Sequence, residues 1–141
     1  MFVLVADHSH KTPMKWSYCS PASFKIPLLL FGDVLKKEYK GKQIKTIGSQ
    51  VDIPATVLAQ LDLPYNKFEW SKNLLNTNPN EFAFYSWYDG YGWIRPSGHF
   101  AYENRFAKFL HLTTDSSKTD DQLIKEGRSY LQYTFDQYLS Y

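Results

Sequence analysis

The sequence predicts an α/β domain carrying an antiparallel meander, and three stretches support that prediction. A short apolar run, Phe2 to Val5, has the length and β-branched content of a strand buried on both faces, as in a parallel sheet. Residues 81–112 alternate aromatic runs with glycine-bearing turns, the pattern of short antiparallel strands. Apolar positions then recur at helical spacing over 119–140. The chain is accordingly read as a strand-and-helix portion (1–80), a meander (81–112) and a C-terminal helix (119–140).

Bulk properties narrow the class. A chain of 141 residues is long enough for one domain that buries about two-thirds of its unfolded surface. The net charge of +2 is mild, and its basic residues are scattered apart from Lys36, Lys37, Lys40, Lys42 and Lys45. That cluster reads as a solvated connection, so no nucleic-acid partner is expected. The single Cys19 leaves no internal disulfide, so a core must hold the fold. No cationic leader and no span-length apolar run are present, so a soluble chain without a membrane segment is expected.

The first strand breaks off into Ala6-Asp7-His8-Ser9-His10. In open α/β sheets the carboxyl ends of strands are where ligands bind. Asp oxygen and His nitrogen both donate to divalent cations, so Asp7 and His8 are the leading candidates for chemistry. The bland alternative is a solvated loop. Lys11 to Ser23 is polar and turn-rich, with Pro13, Ser17, Ser20 and Pro21. Such a loop either shapes a substrate pocket or is simply mobile.

Phe24 to Phe31 reads as a second strand that begins at or after Pro27, or lies at an edge, because proline cannot donate to a ladder. Gly32-Asp33 closes it. The basic stretch 34–48 leads to a predicted helix over Ser49 to Leu61. There Ser49 or Asp52 caps the start, Pro54 fits the first turn, and Val57, Leu58 and Leu61 form a stripe against a sheet. Asp62-Leu63-Pro64 ends that helix. Tyr65 to Asn80 is a connection anchored by Leu74-Leu75.

In the meander, Phe82 to Tyr88 and Tyr91 to Arg95 flank Asp89-Gly90, a hairpin signal. Pro96 to Gly98 turns the chain into His99–Glu103, and Asn104 reverses it into Arg105–Leu110. In the last helix Thr119 or Asp120 is the predicted N-cap. Leu123, Ile124, Gly127, Tyr130, Leu131, Thr134, Phe135, Tyr138 and Leu139 pack on a sheet face, ahead of the alternative of a partner-binding helix.

In this order the pieces resemble the C-terminal part of the sulfatase/lipoteichoic acid synthase family, in the alkaline phosphatase superfamily. The resemblance rests on Ala6-Asp7-His8, Ile26-Pro27-Leu28-Leu29, Ser49-Gln50-Val51-Asp52-Ile53-Pro54-Ala55-Thr56-Val57-Leu58, Phe82-Ala83-Phe84-Tyr85-Ser86, Asp89-Gly90-Tyr91-Gly92-Trp93 and Tyr130-Leu131-Gln132. It spans nearly the whole chain. It implies the closing portion of an alkaline phosphatase-like α/β sandwich. It also implies a divalent metal (Mn, Zn, Ca or Mg) held partly by Asp7 and His8, and a sulfate- or phosphate-ester substrate that activity transfers or hydrolyses. His10 matches no family position; it contacts substrate, completes the metal shell or sits in the loop.

The family's nucleophile, early acidic ligand and substrate-binding histidine precede the strand that here begins at Phe2. The expectation is therefore a C-terminal fragment, inactive alone, holding little or no metal and prone to self-association through exposed apolar strands. The parent is expected at the cell membrane with an extracytoplasmic catalytic domain. A competing reading is a module binding glycans or envelope polymers through Trp87, Tyr88, Tyr91 and Trp93, although strand alternation sends about half of such rings inward. A degenerate family member with a structural role is the third possibility.

Overall fold

A computed structural model describes residues 1–10, 15–77, 79–115 and 117–141, with side chains of the last segment described from residue 120. It is mixed α/β: a two-stranded sheet, a four-stranded antiparallel sheet and a long C-terminal helix. The first sheet pairs β1 (Phe2–Val5) with β2 (Leu28–Phe31). As Pro27 requires, β2 starts at the next residue.

The expected parallel, doubly buried first strand is corrected. β1 runs antiparallel to β2, in the register Phe2 opposite Phe31 and Leu4 opposite Leu29. Because alternate residues share a face, these four side chains line one side of the pair. They are 64%, 40%, 58% and 54% exposed, respectively. An apolar run encodes a preference for burial; whether anything covers it depends on partners that the run does not specify.

The predicted helix over 49–61 divides. Gln50–Asp52 forms a single 3₁₀ turn and α1 occupies Ile53–Gln60. Ser49 and Asp52 make a reciprocal capping box, so both predicted caps take part. The predicted stripe is corrected, since Leu61 is exposed and the buried positions are Asp52, Ala55, Thr56 and Gln60. The inward side of α1 is polar because its side chains bond to backbone: the Lys36 N–H donates to Gln60 Oε1 (3.1 Å) and the Leu74 N–H to Thr56 Oγ1 (3.0 Å). Leu75 is the buried member of the predicted Leu74-Leu75 anchor.

The meander forms as read, in the order β3 (Ala83–Trp87), β4 (Gly90–Arg95), β5 (Gly98–Glu103) and β6 (Lys108–Thr114). The fourth strand lies later than Arg105–Leu110, and the β5–β6 register shifts at Ala101/Tyr102, a bulge-type irregularity. The C-terminal helix α2 spans Ser117–Leu139. The predicted Thr119 cap and the 11–14 part of the predicted loop, with Pro13, lie outside the described residues.

One face of the four-stranded sheet packs on α2. Tyr91, Trp93, Phe100 and Leu123 form the buried cluster, ringed by Phe82, Phe84, Phe109, Ile124, Tyr130 and Leu131. Gly127 permits this contact: a Cβ there would lie 2.5 Å from Phe100 Cζ and 2.9 Å from Trp93 Cβ. Beyond it the predicted helical stripe runs out, with Phe135, Tyr138 and Leu139 exposed. The opposite face is covered by residues 18–24. Phe24 packs on Tyr85 (centroids 4.4 Å apart), and the Tyr85 hydroxyl donates to the Cys19 carbonyl (2.9 Å). Two glycines of β4 make room here, for a Cβ at Gly92 would meet Tyr85 Cζ at 2.0 Å and one at Gly90 would meet Trp87 at 2.4 Å.

Among the described residues no helix is long and apolar enough to cross a membrane.

Candidate functional site

The site is built where β1 ends. The ladder continues one residue past the strand through the Ala6 N–H, which donates to the Pro27 carbonyl (3.5 Å), and then the chain leaves the sheet. The His8 N–H donates to Asp7 Oδ1 (2.9 Å), which turns the carboxylate back over the following residue. His8 Nδ1 lies 2.9 Å from the Ser9 carbonyl. A carbonyl only accepts, so Nδ1 is a protonated nitrogen in this contact. The other ring nitrogen, Nε2, stands 3.6 Å from Asp7 Oδ2.

This separation is too long for a hydrogen bond. It fits two donors sharing one cation: ligands at about 2.1 Å in a tetrahedral shell stand about 3.4 Å apart. The Nδ1–H to backbone carbonyl bond is the usual orienting contact of a metal-binding imidazole. Both side chains are solvent-facing, at 89% and 77% exposed for Asp7 and His8. Open positions around a cation held here would therefore face outward.

His10 is also exposed, two residues on. It does not complete a shell with the pair: no group of three or more His, Cys, Asp or Glu among the described residues is placed to hold a metal ion. The structure brings Asp7 and His8 together and does not group His10 with them.

The turn is held from behind. The Gln50 side-chain amide donates to the Ala6 carbonyl (2.8 Å) and lies 3.2 Å from the Asp7 carbonyl. Gln50 opens the 3₁₀ turn whose last residue, Asp52, is wholly buried. Asp52 Oδ2 accepts from the Ser49 N–H (2.7 Å) and Lys72 Nζ (2.6 Å), while Oδ1 accepts from the Lys72 N–H (3.0 Å). Lys72 Nζ also donates to the Phe82 carbonyl (3.0 Å) and stands 4.0 Å from the Phe82 ring centroid. Phe82 stacks in turn on Trp93 of the core, with centroids 4.8 Å apart. With both carboxylate oxygens bonded and no exposure, Asp52 is a structural anion.

Sequence reading missed this support. Gln50 stood inside a quoted motif without a role, and Lys72 carried no signal because its partner lies 20 residues away. Ser49 and Asp52 were each legible as a cap, and their reciprocal bonding came with the structure.

The aromatic hairpin is packing. Tyr91 and Trp93 are each 4% exposed, Trp87 is half-buried beneath Phe24 and Tyr18, and Tyr88 alone of the four rings is fully exposed. Burial raises the phenol pKa values of Tyr85, Tyr91 and Tyr130, as expected for rings held away from water, with the Asp52 charge adding to the rise at Tyr130. Among the described residues of the hairpin, these rings do not form a flat exposed row.

Searches of protein-family models, curated proteins and solved structures find no match to this chain.

Proposed function

We propose that this chain is the closing portion of a metal-dependent enzyme of the sulfatase/lipoteichoic acid synthase type, acting on sulfate or phosphate esters. In this reading Asp7 and His8 supply two ligands to a divalent cation, and the core is the last part of an alkaline phosphatase-like sandwich. The observation that carries the proposal is the 3.6 Å approach of Asp7 Oδ2 to His8 Nε2, with Nδ1 turned away to a backbone carbonyl. A carboxylate oxygen and an imidazole nitrogen at this spacing suit two positions around one shared divalent cation.

A divalent ion there would act as a Lewis acid on the tetrahedral ester oxygens. The chain's own part is to present two donors at a fixed spacing with the remaining positions open. The apolar face of Phe2, Leu4, Leu29 and Phe31 supports the same reading, because strands of this composition belong inside a larger sheet. The same face favours self-association of the isolated chain. The parent would be membrane-anchored with its catalytic domain outside the cytoplasm, as the resemblance implies.

The test is Mn²⁺ titration of ¹⁵N-labelled chain followed by NMR, beside an assay with nitrophenyl phosphate and nitrophenyl sulfate. Weak, selective broadening at residues 7–9, lost in Asp7→Ala and in His8→Ala, is expected with no turnover. Unselective broadening defeats the proposed ligands, and efficient hydrolysis by these 141 residues alone defeats the partial-site reading.

A further inference from the structure

We infer that Gln50 is a positioning residue for the Asp7–His8 pair, setting the direction in which both donors leave the strand; the inference rests on the function proposed above. A primary amide nitrogen carries two hydrogens, and the two oxygens nearest to Gln50 Nε2 are the consecutive carbonyls of Ala6 (2.8 Å) and Asp7 (3.2 Å). Holding both carbonyls fixes the peptide plane between them and the rotation about the Asp7 backbone. Those are the torsions that aim the Asp7 carboxylate and place His8.

The clamp has a firm base. Gln50 directly follows Ser49, whose N–H is bonded to buried Asp52, and Asp52 is fixed by Lys72 against the aromatic core. The turn is thus referred to the folded interior across more than 40 residues of sequence, as the separations of 43 and 44 positions show. A second tie, the Ser9 hydroxyl donating to the Ser23 carbonyl, holds the far side of His8. Between them the two ties hold the backbone on both sides of His8.

The experiment measures amide hydrogen exchange at His8, whose N–H is bonded to the Asp7 carboxylate, and the Mn²⁺ concentration that half-broadens the His8 signal. It compares the unsubstituted chain with Gln50→Ala and with Gln50→Glu, which keeps the length but presents acceptors to the carbonyls. Both variants are expected to speed His8 exchange about fivefold and to raise the half-broadening Mn²⁺ concentration about fivefold, the worth of one lost hydrogen bond. Exchange at Phe100 and Leu123 stays unchanged, because Gln50 is exposed and remote from that cluster.

Unchanged His8 exchange in both variants overturns the inference, whatever the metal does. Accelerated exchange with no Mn²⁺ response in the unsubstituted chain keeps the clamp and overturns the cation, so the proposed function falls separately. Faster exchange throughout the molecule, at Phe100 and Leu123 as well as at His8, also overturns the inference by showing a global effect.

Discussion

Removing the Asp52 carboxylate should destabilise the whole domain, although the residue belongs to a short turn. Asp52→Ala deletes three accepted bonds at 2.6, 2.7 and 3.0 Å and strands the Lys72 ammonium, whose side chain is 17% exposed. Breaking a buried pair from one side costs about 3–5 kcal/mol, because the remaining charge loses its partner without regaining water. Lys72 keeps the Phe82 carbonyl and ring, which argues for the middle of that range, about 4 kcal/mol. For a chain of this size that corresponds to a fall in Tm of roughly 12 °C.

Asp52→Asn restores little, since its amide nitrogen would face either the Ser49 N–H and Lys72 Nζ or the Lys72 N–H, donor against donor. Lys72→Met leaves the buried carboxylate two backbone donors and should cost about 3 kcal/mol. The double variant should then lose at least about 2 kcal/mol less than the sum of the single losses. Urea unfolding followed by near-ultraviolet circular dichroism reads all four proteins through the packed rings. A loss below about 1 kcal/mol for Asp52→Ala, or strictly additive single losses, would refute the assignment of Asp52 as the anchor of this region.

Gly127→Ala reverses a familiar sign: in an open helix the change stabilises by about 1 kcal/mol, but the new methyl meets Phe100 and Trp93, and a net loss of about 1–2 kcal/mol is expected by the same unfolding assay. Tyr85 gives an alkaline signature. Its pKa is raised by burial, so its contribution is complete below the unfolded value near 10 and is lost as pH rises beyond it; Tyr85→Phe should flatten stability above about pH 10 without abolishing the trend, since Tyr91 and Tyr130 behave alike. His99 gives the acid counterpart. Burial and then the His111 charge lower its pKa, so its contribution is present above the unfolded value near 6.5 and is lost as pH falls through the folded one; His99→Gln should flatten stability as pH falls below about 6.5. Phe2→Glu with Leu4→Lys should reduce self-association measured by light scattering, while a chain already strictly monomeric would show that the exposed face is harmless.

Several features were legible because they are local. Pro27 set the start of β2, Ser49 and Asp52 each offered a cap, Asp89-Gly90 placed a hairpin, and the recurrence from Leu123 to Leu131 found the helix face that meets the sheet. Each is a relation between neighbours a few positions apart, and backbone geometry enforces such relations wherever the chain lies. That Asp7 and His8 follow the first strand closely is local in the same way.

Other features were decided by tertiary structure alone. The run Phe2–Val5 has the composition of a covered strand, yet its antiparallel partner and its exposure depend on what stands beside it. Tyr91 and Trp93 had the makings of a binding surface until α2 closed over them, and the polar inner side of α1 made sense only once Ser71, Lys72 and Leu74 were placed against it. The amino-acid order determined the period and the ends of most elements, because those are set by torsions and hydrogen bonds within a few residues. Which faces became interior, and which distant amide bonds to the Ala6 and Asp7 carbonyls, was settled by packing, because burial is shared between segments that no local pattern links.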